Sequence, residues 1–388
     1  MDLGMVLPRR KSLLLVLSLI FLTFSPEVFA HNLPSHSDPE LLTGWQTWLH
    51  LTIQWLHLVA FSLWLGLTAG TLVLGLKPPL DYLLYSSWVL FLLLFATGTY
   101  NMEFSAGIPV TPSVFQIPLL EEIPYGVTYT FVLAIKGGLY GLTVLFTFVI
   151  TGCHVWRRMD EARLRRIFQL GGSALGLLLA LATAILLFYH EVADLWPTPI
   201  HSLGGLLGPE GVRHQIAVDP GRSPPNDFGL LTTSAVWTDI GLRWLHLLAF
   251  GLWVGSSAWI TVFPGAQPER YIRWSWFLIV VQIASGIGNM ERWTPFYVAP
   301  YPWNLRELSH LRFGSTYTLW MVAKHALALA GLAVLAAATF RFLRSRRLGI
   351  AATFRIKPYA ALTVLIGFAI GYIMIALLLL HEGVDHAL

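Results

Sequence analysis

The sequence predicts an all-α transmembrane protein of eight helices, arranged as two parallel four-helix repeats behind a signal peptide. Three observations predict it. Hydrophobic residues make up 55% of the 388 positions and charged residues 12%, about half the charged share of an ordinary soluble domain. Several apolar runs reach the roughly 20 residues that a helix needs to cross a bilayer. One stretch also occurs twice. Gln54 to Gly66 reads QWLHLVAFSLWLG and Arg243 to Gly255 reads RWLHLLAFGLWVG, so His57 matches His246 at an offset of 246 − 57 = 189.

Taken in order, residues 1–30 have the form of a secretory signal. Arg9, Arg10 and Lys11 precede a short apolar run, and Val28-Phe29-Ala30 ends in a small residue suited to cleavage, which would make His31 the new N-terminus. The first repeat follows over 31–194, with spans expected at 48–75, 85–102, 126–151 and 169–191. Residues 195–237, rich in Pro and Gly, are expected to form an external linker. The second repeat covers 238–388, with spans at 238–263, 274–290, 314–340 and 358–381.

Charge orients the spans. Arg157, Arg158, Arg163, Arg165 and Arg166 follow the third span, and Arg341, Arg344, Arg346, Arg347, Arg355 and Lys357 follow the seventh. The positive-inside rule places both loops in the cytoplasm and both ends of the mature chain outside, in a bacterial inner membrane. The same rule accounts for the net charge of +4, so the lipid bilayer, not nucleic acid, is the expected partner. The single cysteine, Cys153, excludes an internal disulfide and any cysteine cluster.

The duplication extends past the first helix. Asn101-Met102-Glu103 matches Asn289-Met290-Glu291, and Lys136 matches Lys324, both at 188. His190-Glu191 matches His381-Glu382 at 191. Four spans per copy give both copies one orientation, hence a parallel repeat.

Polar side chains inside spans demand a reason. His57 and His246 lie about two turns below the outer membrane edge, while His190 and His381 lie in the last turn of outward-running helices. We expect the first- and fourth-helix histidines of each half to fall at similar depth, a natural axial pair for a haem iron. Lys136 and Lys324 fall near mid-bilayer, where an amine needs a carboxylate, backbone carbonyls or an anionic group such as a haem propionate. Arg243, one turn outward of His246, can pair with a carboxylate, and a charge there would raise the potential of a nearby haem. Trp64 and Trp253, seven residues past the histidines, would pack on a macrocycle or fill the core. His325 has Gly137 as its counterpart and stands outside the shared set.

The run HLLAFGLWVG over 246–255 resembles the first helix of the CopD-type copper-resistance membrane proteins. Ser285-Gly286 and the stretch from Phe313-Gly314 to Lys324 resemble that family's later motifs. The histidine-plus-lysine arrangement also resembles HemJ-type protoporphyrinogen oxidases, whose four-helix unit binds haem b. The resemblance covers about three helices of each half and implies roles for His57, His246, Lys136 and Lys324. A whole second copy and the His-Glu pair on the fourth helix depart from the CopD pattern.

Three functions are therefore expected in order. The first is a protein with two haem b sites, exchanging electrons with a periplasmic redox partner or a quinol. The second is copper uptake or resistance, which would draw on Met102, Met290 and the histidines of the tail, His31 and His36. The third is porphyrinogen oxidation.

Overall fold

A computed structural model of the chain describes residues 44–105, 108–109, 118, 125–194, 228–232, 234–263, 265, 267–292, 314–350 and 354–385. The signal sequence, His31, His36 and most of the linker lie outside the described residues. Each apolar run folds as one helix, since a helix alone lets a single segment satisfy its own backbone in lipid. The first half comprises α1 (Trp45–Leu65), α2 (Leu80–Glu103), α3 (Gly126–Val155) and α4 (Glu161–Asp194). The second comprises α5 (Ser234–Val262), α6 (Pro268–Arg292), α7 (Gly314–Arg347) and α8 (Lys357–Asp385). Helix α1 continues through a π-helical turn at Gly66–Gly70 into a last turn at Thr71–Leu74. A 3₁₀ turn at Phe228–Thr232 and the first turn of α5 replace the end of the expected linker. A two-residue antiparallel pairing of Phe104–Ser105 with Ile108–Pro109 follows α2.

Seven of these helices are long and apolar enough to cross a membrane. The exception is α6, expected as a span over 274–290. Gln282 and Asn289 lower the hydropathy of that run and Arg273 and Glu291 bound it closely, and the first turns of the helix lie among the charges at the arginine-bearing end of the bundle, termed the inner end. There Glu269 approaches Arg273 at 3.7 Å and Arg346 at 3.8 Å.

The two halves meet where α1 crosses α5. A Cβ on Gly66 would overlap the Gly255 backbone, and one on Gly255 would overlap the Ser62 carbonyl. Small residues at such a crossing let helix backbones touch, which replaces the missing hydrophobic drive in lipid. The contacts advance together along both helices: Ser62 meets Gly251, Gly66 meets Gly255 and Gly70 meets Ser256. The helices therefore run in the same direction. The glycine that closes each copy of the duplicated stretch is thus a packing residue. Trp259 adds an indole hydrogen bond to the Leu63 carbonyl at 2.7 Å.

The fourth helices change partners along their length. Near the inner end α4 packs on α1, with Gly172 against Thr68 and Gly176 against Leu65 and Trp64. Its outer end instead joins α5: Ala184, Phe188 and Tyr189 cluster with Val236 and Ile240, and the Trp244 indole donates to the Leu177 carbonyl at 3.0 Å. Helix α8 does the reverse. It packs Gly367 and Gly371 on Val254 and Phe250 of α5, then crosses to α1. There the Trp55 indole donates to the Phe368 carbonyl at 2.9 Å, Trp48 stacks on Tyr372, and Leu51 meets Ala376 and Leu379.

These contacts correct the expected equal depth of the histidines. Gly176 sits level with Leu65, so the α4 residue level with His57 is Ala184, and His190 lies six residues further out. Gly371 sits level with Phe250, so Ile375 is level with His246, and His381 again lies six residues further out. At 1.5 Å per residue each fourth-helix histidine is about 9 Å outward of its first-helix counterpart. The side chains of His190 and His381 lie outside the described residues.

Candidate functional site

In the first half the His57 ring leans from α1 onto α2. Its Nδ1 is 2.9 Å from the Thr97 hydroxyl oxygen. That hydroxyl gives its own proton to the Leu93 carbonyl at 2.7 Å. It must therefore accept from the imidazole, and Nδ1 carries the hydrogen. The proton on Nδ1 leaves Nε2 as a bare lone pair, and no described residue donates to it. Gly98 lets the ring lie close against α2, since a Cβ there would stand 3.3 Å from His57 Cε1. Lys136 of α3 is an electrostatic neighbour of this ring.

The second half repeats the scaffold. His246 Nδ1 is 3.1 Å from the Ser285 hydroxyl, which donates to the Val281 carbonyl at 2.6 Å. Gly286 would hold a Cβ 3.1 Å from His246 Cε1, and Lys324 is the electrostatic neighbour. One contact is new: the Gln282 side-chain nitrogen lies 2.8 Å from His246 Nε2. With Nδ1 protonated, Nε2 accepts from that amide. The matching residue in the first half, at 282 − 188 = 94, is Leu94, whose side chain cannot donate.

Both lysines are half-buried, and neither has a carboxylate partner among the described residues. Further polar atoms, buried and without a hydrogen-bond partner among the described residues, recur on the second and third helices of each half. They are Asn101 Oδ1 and Thr130 Oγ1 in the first half, and Asn289 Oδ1 and Thr318 Oγ1 in the second. Leaving such atoms unpaired is costly, so their recurrence at matching positions makes them candidates for lining a polar site.

Arg243 differs from expectation. Its Nε bonds the Asp239 carboxylate of its own helix at 2.9 Å, with Asp239 fully buried and Arg243 10% exposed. The cation expected to face a ligand is already paired one turn away. The first-half counterparts are Gln54 and His50. His50 is buried, neither ring nitrogen has a partner among the described residues, and its ring lies 5.8 Å from that of Tyr100, whose hydroxyl likewise has none among them.

Trp64 and Trp253 fill the core. Trp64 packs on Gly176 and Phe91, and Trp253 packs on Gly331 of α7. Both indole N–H groups are buried without a partner among the described residues. His325 bonds the Met321 carbonyl of its own helix at 2.7 Å, away from the shared set. His154, beside Cys153 at the inner end, pairs with Asp81 at 2.7 Å. Among the described residues no three His, Cys, Asp or Glu side chains group as a metal cluster. The side chains of Met290, Glu191 and Glu382 lie outside the described residues.

Sequence reasoning missed Thr97 and Gln282. Thr97 and Ser285 match at offset 188, and that correspondence was the available signal. Gln282 had none, because its importance lies in differing from Leu94. No family model, no curated protein and no solved structure matches the chain.

Proposed function

We propose that the chain is a tandem of two parallel four-helix membrane units whose polar sites face the outer leaflet. We further propose that it carries haem b at His57 to exchange electrons with an external redox protein or a quinol. The observation that carries this reading is the His57 ring, held by Thr97 on Nδ1, with no described residue donating to its Nε2 and with Lys136 as an electrostatic neighbour. A ligating histidine characteristically gives its other N–H to a fixed acceptor, which sets the tautomer and the ring plane.

The donor set suits a haem better than a bare ion. A porphyrin supplies four ligands of its own and needs one or two imidazoles from the protein, whereas copper or zinc bound by side chains alone needs three or more. When bound, the haem would supply one-electron chemistry. The protein's part would be to offer His57 as an iron ligand and Lys136 as countercharge for a propionate. His246 and Lys324 are the matching residues of the second half. His190 and His381, on the fourth helices, would be candidates for a second ligand. A copper site and a porphyrinogen-oxidising site gain no further support from this geometry.

The test is an optical spectrum of detergent-purified protein expressed with adequate haem supply. A Soret band in the wild type that is weakened in His57→Ala is the expected result. Folded wild-type protein without that band would remove the haem reading.

A further inference from the structure

We infer that Gln282 makes the two sites unequal, by occupying the one nitrogen of His246 that could bind a ligand. The inference deepens the haem reading and, for ligand binding, rests on it. The hydrogen-bond arrangement behind it stands by itself.

Ser285 passes its proton to the Val281 carbonyl, so His246 Nδ1 must donate to Ser285. Nε2 is then the only acceptor on the ring, and the Gln282 amide already donates to it at 2.8 Å. A metal-centred ligand approaching His246 has to displace that amide. Displacement is penalised twice. The amide loses the hydrogen bond, and its other terminus, Oε1, is buried without a partner among the described residues to hold the displaced group. In the first half the matching side chain is Leu94, buried and incapable of donating. His57 Nε2 therefore presents its lone pair at no such cost. The other groups that hold or face the ring correspond: the hydroxyl on Nδ1, the glycine under the ring, and the lysine that is its electrostatic neighbour.

The first half is thus the resident site and the second a capped one, with affinity reduced by about tenfold. That is the upper end of what one neutral hydrogen bond is worth, given the orphaned amide. A substitution at one position is enough to open it.

Two measurements test this. The first uses protein without haem, labelled with ¹⁵N-histidine, in which His57→Ala and His246→Ala assign the signals. The unprotonated nitrogen of His246 should resonate upfield of that of His57, as a hydrogen-bonded acceptor does, and Gln282→Leu should bring the two together. Equal shifts in the wild type would overturn the assignment. The second is a haemin titration of the full chain. The wild type should load in two phases about tenfold apart. Gln282→Leu should tighten the weaker phase towards the stronger, and Leu94→Gln should weaken the stronger one. Two equal phases in the wild type, or a weak phase that Gln282→Leu leaves unmoved, would overturn the inference. Wild-type protein that shows the distinct ¹⁵N shifts but takes up no haem would remove the haem reading while leaving Gln282 as the cap.

Discussion

The two halves share a scaffold and part at single side chains. In the first half His57 is held on one nitrogen and open on the other, while in the second His246 is bonded on both. Two turns towards the start of each first helix, the first half has His50, buried with no partner for either nitrogen among the described residues, where the second has the buried Asp239–Arg243 pair. Below them, Gly66 and Gly255 serve the same contact from opposite sides. The difference teaches that what orients the histidine is common to both copies, and what its free nitrogen meets is not. One position per copy, Leu94 or Gln282, separates an open ligand site from a satisfied polar contact.

The largest expected effect tests what the halves share. Gly255→Leu and Gly66→Val each push a side chain into backbone at the α1–α5 crossing, where neither helix can yield without parting from the other. We expect both to abolish recovery of folded, monodisperse protein from detergent. Gly137→Ala, at a position with open space around it, should leave recovery unchanged. Overpacking of this kind typically costs about 1–3 kcal/mol and more against backbone. Damage from only one of the two would show that the crossing is not shared equally.

Next comes the ligand difference. His57→Ala should remove most of the Soret absorbance at limiting haem, whereas His246→Ala should remove little. The reverse pattern would invert the comparison. In the same preparations, loss of a low-spin spectrum in His190→Ala would assign the opposite axial ligand despite its outward offset.

The third prediction concerns the outer turn. Asp239→Ala removes the buried carboxylate that Arg243 Nε bonds at 2.9 Å, and breaking one side of a buried pair costs roughly 3–5 kcal/mol. A fall in detergent Tm of several degrees is expected. His50→Phe removes two nitrogens that have no partner among the described residues and should be neutral or raise Tm. Equal losses in the two variants would mean that His50 has a partner as strong as Arg243.

The smallest effect lies under the rings. Ala at position 98 would sit 3.3 Å from His57, and Ala at 286 would sit 3.1 Å from His246. Replacing a mid-helix Gly by Ala gains up to about 1 kcal/mol in helix propensity, which offsets the closer contact. Gly98→Ala should therefore be near neutral in Tm and Gly286→Ala slightly destabilising.

Hydropathy and periodicity alone placed the helices. The apolar runs expected at 126–151 and 314–340 became Gly126–Val155 and Gly314–Arg347, because in lipid a continuous apolar run has one way to satisfy its backbone. The sequence likewise marked His57, His246, Lys136 and Lys324, since a charge or imidazole within a span is rare enough to stand out. The Asp239–Arg243 pair was also within reach, as the two lie four residues apart on one helix. Only the tertiary structure decided the rest. That Thr97 holds His57 and that Gln282 caps His246 depends on how far α2 and α6 are displaced along α1 and α5, a displacement that no single helix encodes. The same holds for the outer ends of α4 and α8, which leave their own first helix for that of the other half. Their register is set by which glycine accepts which side chain, Gly176 against Trp64 and Gly371 against Phe250. That choice carries His190 and His381 about 9 Å outward of the depth expected from the sequence.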